Sequence, residues 1–247
     1  MEEKIRLDLL LMQQTGYGRE FVKELIEKSV LVNGKPITKP GAKFSPGVEI
    51  VFNQPEEVYV SRGGYKLSYA LRQFGIDLND KTCLDMGACT GGFTDCMLQN
   101  GAARVYTVDI GTGQLDERLV RDMRVIATEN TDVRDISPNL FETIDFLTVD
   151  LSFISLTKVL HKVAQFADAE GVLLIKPQFE AGRDKLTKRG VVKDKKAHFR
   201  VIDSIYSACV EHGVKTLGHI ESPIAGHAGN VEYLLFIHNP AGTQVIR

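Results

Sequence analysis

The chain has no tryptophan, and its 247 residues include only four cysteines. Cys83, Cys89 and Cys96 are separated by five and six residues and Cys209 lies far downstream, so no C-x-x-C pair exists to hold zinc or run dithiol chemistry. Three of the four sit around one apolar stretch and the turn after it, where cysteine ordinarily acts as a small buried hydrophobe. No metal site is expected. Long apolar runs are missing as well: Val172–Ile175 and Leu234–Ile237 are strand-sized, far below the roughly 18 residues a membrane helix needs. The start, Met1-Glu2-Glu3-Lys4, is acidic and has no apolar signal core, which points to a cytoplasmic protein. Charge of one sign is not in excess, with 30 Lys and Arg against 32 Asp and Glu, so only the local distribution can speak for or against a polyanionic partner. Repeats and low-complexity tracts are absent. What is present is 43% hydrophobic and 25% charged residues, enough to pack a core, in a length that suits a large α/β domain with a small appendage.

Ile5, Leu7, Leu10, Leu11 and Met12 recur at helical spacing until Thr15-Gly16 breaks the pattern. A second amphipathic helix is predicted over Phe21, Val22, Leu25 and Ile26, interleaved with Arg19, Lys23 and Lys28. Val30-Leu31-Val32 then meets Asn33-Gly34, a hairpin signal, with Lys35 to Thr38 as the returning strand and Val48 to Phe52 as another. The aperiodic, proline-containing segment from Asn53 to Val60 is read as a boundary, giving domains at 1–53 and 61–247 joined by a linker at 54–60. Beyond it, apolar strands at Thr82–Met86, Val105–Asp109, Val125–Thr128, Ile144–Asp150, Val172–Lys176, Val214–Glu221 and Val231–His238 alternate mostly with helix-length segments. That is the pattern of a doubly wound, Rossmann-like sheet. Only a short loop with Gly226 and Gly229 separates the last two, so the final strand is expected to enter antiparallel, as a hairpin with its predecessor.

The first strand of the large domain runs into Asp85-Met86-Gly87-Ala88-Cys89-Thr90-Gly91-Gly92-Phe93, a glycine-rich turn before a helix. A dinucleotide fingerprint would need glycine where Cys89 stands, which disfavours NAD. Asp85, Asp109, Asp132 and Asp150 fall at or near the strand ends, and such an acidic rim repels a pyrophosphate. It suits S-adenosylmethionine, which has a sulfonium, an ammonium and a ribose diol but no phosphate; Asp109 is expected to meet the diol and Asp85 the amino-acid end.

Lys176 ends the apolar run Gly171–Ile175, a buried strand that would carry its ammonium to the carboxyl edge of the sheet, where Asp150 on the adjacent strand could pair with it. Lys66 and Glu232 are the remaining candidates. Methylating a ribose hydroxyl requires a base for its proton; Lys176 could serve if desolvation and the nearby Lys66 cation favour its neutral form while Asp150 orients it. Residues 181–200 hold eight Lys and Arg against Asp184 and Asp194, a local charge of +6 directly after the candidate catalytic strand, which favours a nucleic-acid partner.

With these residues in place, the chain resembles the TlyA, or hemolysin A, family, in which an S4-type RNA-binding domain precedes an FtsJ-like methyltransferase domain. The resemblance covers essentially the whole chain and rests on Tyr59-Val-Ser-Arg-Gly-Gly-Tyr-Lys-Leu67, Asp85-x-Gly-Ala-x-Thr-Gly-Gly-Phe-Thr94, Val108-Asp-Ile-Gly-x-Gly-Gln-Leu115, Asp150-Leu-Ser-Phe-Ile-Ser-Leu156, Lys176-Pro-Gln-Phe-Glu180 and Gly229-Asn-Val-Glu-Tyr233. It implies a Lys-Asp-Lys-Glu tetrad at Lys66, Asp150, Lys176 and Glu232. It also implies S-adenosylmethionine bound by Asp85, Gly87, Ala88, Thr90, Gly91, Gly92, Phe93, Asp109 and Asp132. The implied reaction is methylation of cytidine 2'-hydroxyls in 16S or 23S ribosomal RNA, or in ribosomal subunits; the alternatives are a non-catalytic RNA- or ribosome-binding protein and a membrane-lytic hemolysin. Residues 1–60 hold eight Lys and Arg against nine Asp and Glu, so the small domain's RNA contacts would rest on a patch of Arg6, Arg19, Lys23 and Lys35. The large domain would add Arg62, Arg183, Lys185, Lys188 and Arg189. Gly18 and Ser29 depart from the family, which tends to have serine and glycine at those places.

Overall fold

The computed structural model describes residues 4–15, 22–23, 25–27, 30–52 and 59–240. Arg19 and linker residues 54–58 lie outside them.

The amino-terminal part comprises strand β1 (Ile5–Arg6), helix α1 (Leu7–Thr15) and strands β2 (Val30–Val32), β3 (Lys35–Pro36), β4 (Lys43–Phe44) and β5 (Ile50–Phe52). β2 and β3 close the hairpin read from Asn33-Gly34, whose φ values of 50° and 72° both lie in the left-handed region a type I′ turn requires. The returning strand stops at Pro36, which has no N–H to extend the ladder. β5 pairs with the other side of β2, and Leu7, Leu11, Val22, Ile26, Val30 and Val32 form one small core. β1 and β4, which the apolar pattern did not reveal, pair antiparallel.

The larger part runs α2 (Arg62–Phe74), β6 (Thr82–Met86), α3 (Gly92–Gln99), β7 (Arg104–Val108), α4 (Glu117–Val120), β8 (Val125–Thr128), β9 (Phe146–Val149), α5 (Leu160–Val163), β10 (Glu170–Ile175), α6 (Pro177–Glu180), α7 (Lys195–Glu211), β11 (Lys215–Glu221) and β12 (Tyr233–His238). Its sheet has seven strands in the order β11-β12-β10-β9-β6-β7-β8. β12 alone runs against the other six strands, entering antiparallel between β10 and β11. Side chains alternate across the sheet: Leu147, Val149, Leu173 and Ile175 enter one core, and Phe146, Val172 and Leu174 enter the other. Burial on both faces explains why β10 reads as an unbroken apolar run. The crossovers are less helical than the spacing implied. Between β8 and β9 the described residues make only a single turn at Pro138–Leu140.

Parallel strands bring their last residues to one edge. Gly87, Asp109, Asp150 and Lys176 each follow the final residue of β6, β7, β9 and β10. Because β12 runs the opposite way, Glu232, the residue before its start, arrives at that same edge. Lys66 reaches it from α2, which is capped by Ser61 and packed against Tyr59. A Cβ on Gly64 would stand 2.3 Å from the Tyr59 ring. Gly64→Ala should therefore destabilise the fold by about 1–3 kcal/mol, the overpacking outweighing the roughly 1 kcal/mol that alanine gains in helix propensity. Denaturant unfolding checks this, and an unchanged or higher midpoint would show that Tyr59 yields freely.

Candidate active site

Lys66, Asp150, Lys176 and Glu232 converge on one cavity of about 530 Å³. The four side chains meet as two ion pairs. Lys66 Nζ donates to Glu232 Oε2 at 2.7 Å, with both side chains nearly enclosed. Lys176 Nζ lies 2.5 Å from Asp150 Oδ1 and donates to Ser152 Oγ at 3.1 Å. Each amine is thus balanced by its own carboxylate, where the sequence reading had set Lys66 against Lys176 as a free cation. Glu232 is held further by Gln178 Nε2 at 2.9 Å, and a Cβ on Gly226 would stand 1.9 Å from its Oε1. Glu180, whose carboxyl is pushed up by burial, accepts from Ser155 Oγ and from the Leu156 N–H. It thereby ties the loop after Asp150 to the segment after Lys176.

The glycine turn forms the neighbouring wall. Gly87 has φ of 88°, and a Cβ there would meet the Asp150 carbonyl at 2.6 Å, so the site requires glycine. Ala88, Thr90, Gly92 and Phe93 line the first cavity. Gly87 is shared with a second cavity of about 420 Å³ that includes Asp109, Ile110, Asp132, Val133 and Ile154. Asp109 accepts from the N–H groups of Cys89 and Gly111 at 2.8 and 2.7 Å, which fixes its carboxylate at the rim. Asp132 is gripped by Arg134, which holds its carboxyl below the usual range.

Two expected cofactor residues stand elsewhere. Asp85 lies inside β6, fully buried and outside both cavity walls, because its position in the pleat aims it into the core toward α3. Its oxygens accept from Thr94 Oγ1 at 2.6 Å and Thr148 Oγ1 at 2.9 Å, so it braces the turn from beneath rather than meeting a ligand's amino-acid end. Gly91, with φ of 91°, packs against Leu119 and Leu115 outside the cavities. Of the three cysteines expected to be buried, Cys83 and Cys96 are and Cys89 is exposed in the turn; Cys209 is buried as well.

Among the basic candidates, Arg62 and Arg189 line the first cavity and remain exposed, and Arg183, Lys185 and Lys188 are exposed outside its lining. Lys185 pairs with Asp184. In the small part Lys35 is exposed and Lys23 half-buried. Arg6 is clamped in a two-pronged pair by the buried Asp8, so its charge is balanced within the fold. Sequence reasoning missed Ser152, Gln178 and Gly226, and also Phe153, an exposed non-glycine residue with φ of 67° whose ring lies 5.1 Å from that of Phe179. Their signal was adjacency: Ser152 and Phe153 follow Asp150, Gln178 follows Lys176, and Gly226 opens the loop to Glu232.

The sheet order with its one inverted strand defines a Rossmann-like methyltransferase fold, and an S-adenosylmethionine-dependent methyltransferase from Mesorhizobium loti superposes with a TM-score of 0.52 at 13% identity over 69% of this chain and 96% of that one. Residues 59–239 match the model of the FtsJ-like methyltransferase family, and the chain belongs to that family. It is 38% identical over 243 residues to the 16S/23S rRNA (cytidine-2'-O)-methyltransferase TlyA of Mycobacterium tuberculosis, covering 96% of this chain and 91% of that one. It is 39% identical over 213 residues to hemolysin A of Brachyspira hyodysenteriae, covering 83% and 87%. A solved structure from Streptococcus thermophilus, provisionally named a hemolysin, matches 99% of this chain and 91% of its own at 38% identity with a TM-score of 0.74.

Burial pushes the Asp85 carboxyl up to about 6, against the lowering donors Thr94 and Thr148. The folded state then binds a proton between about pH 4 and 6 that the unfolded chain has released, so this group's contribution to stability falls as pH rises through that window. Asp85→Asn should flatten the slope, worth up to about 3 kcal/mol, in unfolding free energies measured from pH 4 to 7. An unaltered slope would show that Asp85 titrates as an ordinary carboxylate.

Proposed function

We propose that the protein is an S-adenosylmethionine-dependent methyltransferase acting on cytidine 2'-hydroxyls of ribosomal RNA. The observation that carries this reading is the convergence of two amine–carboxylate pairs on one cavity beside the glycine turn. The relatives named as rRNA cytidine-2'-O-methyltransferases support it. The second cavity suits the cofactor. Asp109 offers a ribose diol its remaining acceptor capacity, Ile110, Val133 and Ile154 supply apolar surface for an adenine, and the one arginine in the wall is already taken by Asp132, leaving no cradle for a pyrophosphate. Gly87, Ala88, Thr90, Gly92 and Phe93 would hold the amino-acid end by backbone approach. When bound, this cofactor supplies a methyl group activated by a positive sulfur.

The chain's own residues handle the proton. Lys176 Nζ, aimed by Asp150 and Ser152, first gives up a proton to solvent past the part-exposed Asp150 and then, as the neutral amine, takes the proton of the ribose hydroxyl. Lys66, fixed by Glu232, donates to the same oxygen and holds it in line. Phe153 and Phe179 offer ring surface to a base turned out of its stack. Arg62, Arg183, Lys185, Lys188 and Arg189 contact the RNA backbone, and the segment 1–53, an S4-like unit joined through 54–60 to the methyltransferase domain 61–247, holds RNA through Arg19, Lys23 and Lys35. Such a substrate supports a cytoplasmic site of action. Some relatives carry hemolysin names, but no described helix is long and apolar enough to cross a membrane.

Lys176→Ala should reduce methyl incorporation into unmodified ribosomal subunits by about 100-fold or more, while calorimetry finds cofactor affinity within a few-fold of the parent. Incorporation that persists undiminished would refute the mechanism, whereas a parent protein that binds RNA but incorporates no methyl group would favour a protein without turnover.

A further inference from the structure

The outward face of α7 carries charge that neither the fold nor the transfer chemistry uses. Ala197, His198, Val201, Ile202 and Ile205 are buried, which leaves Lys195, Lys196, Phe199 and Arg200 on the opposite side, all exposed. At separations of three and four residues they are neighbours on one helix face. Phe199 is 67% exposed. A single exposed hydrophobe is ordinary on a surface. Its setting is not.

Elsewhere in the large part Arg104, Arg118, Arg121, Arg124 and Arg134 each pair with a carboxylate. By contrast, Lys188, Arg189, Lys193, Lys195, Lys196 and Arg200 form no ion pair among the described residues. Asp194 is the helix cap, accepting the Lys196 N–H at 2.9 Å, and Asp203 one turn further on ends the positive stretch.

This face is locked to the active site. Gly190 N–H donates to the Thr187 carbonyl at 2.8 Å, which makes Lys188 and Arg189 the central pair of a turn whose flanks meet at Leu186 and Val192. Asn230 clasps the base, accepting from Val192 N at 3.1 Å and donating to the Gly190 carbonyl at 3.0 Å. His198 reaches the same place from the inner face of α7, its Nε2 standing 2.9 Å from the Val192 carbonyl. A carbonyl only accepts, so Nε2 carries the hydrogen, and Nδ1 lies 3.0 Å from the Tyr233 hydroxyl. Arg189 at the turn's tip lines the catalytic cavity. Cavity, turn and helix face are thus tied together by hydrogen bonds, with the unpaired cations on the turn and the helix.

We propose that the outer face of α7, with Lys193, takes an unpaired stretch of RNA beyond the reacting nucleotide, its phosphates on Lys195, Lys196 and Arg200 and one base stacked on Phe199. This deepens the RNA-methyltransferase reading and rests on it. Unpaired RNA fits because a protruding aromatic amid cations offers a base a π-face, which a helical duplex with its bases stacked inside cannot use.

The experiment measures methyl transfer to unmodified ribosomal subunits across a salt series, together with binding of protein-free ribosomal RNA, using full-length variants. Replacing Lys195, Lys196 and Arg200 together by Ala should raise KM and reduce the slope of log KM against log salt by about 2, the release expected for three single-strand phosphates. Phe199→Ala should raise KM roughly 5- to 100-fold, Phe199→Trp should retain the parental value and Phe199→Leu should not. kcat and cofactor affinity should stay at parental values. Unchanged KM and salt slope would overturn the proposal. So would full activity of Phe199→Leu, which indicates an aliphatic protein contact, or a defect seen with subunits but absent on protein-free RNA, which indicates a ribosomal protein as partner. If the parent transfers no methyl group the functional reading falls instead, and binding of the same variants to RNA still judges the surface: unchanged affinity overturns it.

Discussion

A lysine ammonium nearly closed off from water requires a partner, and the one Lys66 finds is 166 positions away in the chain. That pairing constrains the architecture. The net energy of a buried ion pair is small because desolvation offsets the attraction, yet removing one partner costs about 3–5 kcal/mol, so the pair acts as a registration device more than as a stabiliser. α2 has to lie against β12 for Lys66 to meet Glu232. A carboxylate just outside a strand can reach the catalytic edge from the start of that strand only if the strand runs against the others. The inverted β12 is therefore a chemical requirement of this site as well as a topological detail.

The two pairs are not equivalent. Lys66 and Glu232 are enclosed, with Gln178 and the bare backbone of Gly226 fixing the carboxylate from two further sides. Asp150 keeps 24% of its side chain exposed, and Lys176 pairs with Asp150 while donating to a serine hydroxyl, with the Phe179 ring centroid 5.9 Å away. A group that gives up and takes back protons needs such a route to solvent. A group that only holds an oxygen in place is served better by the closed setting. The two lysine side chains are equally enclosed, at 11% exposure, so it is this difference between their carboxylates that supports the proposed proton transfer by Lys176 and positioning by Lys66.

The sheet was legible because burial on both faces writes unbroken apolar runs, and the antiparallel last strand followed from the short loop before it. Asp150 and Lys176 could be read from their places at strand ends. Lys66 and Glu232 could not, since α2 and the approach to β12 have ordinary amphipathic surroundings; only resemblance pointed to them. Asp85 misled for a physical reason. An aspartate just before a glycine turn looks like a ligand, but it lies one residue inside the end of β6, and the pleat turns it into the core where two threonine hydroxyls receive it. Contacts made by neutral side chains, such as Gln178 on Glu232, leave no periodic or charge signature at all.

Total charge was uninformative for a related reason: what a polyanion meets is the charge left over after a protein has paired its own. A net of -2 conceals two populations of cations. The arginines around α4, β8 and the segment that follows are each held by a carboxylate two to four residues away, and their field decays within a Debye length of the surface. Those between 183 and 200 are mostly unpaired and lie on elements whose backbone is anchored by buried groups, Asn230 and His198, that carry no formal negative charge to cancel them. Neutral anchors fix a cationic surface in place without neutralising it. The same anchors connect it to the strand that delivers Glu232, so a phosphate chain bound there would be registered against the proposed base, Lys176, by the hydrogen bonds of Asn230 and His198.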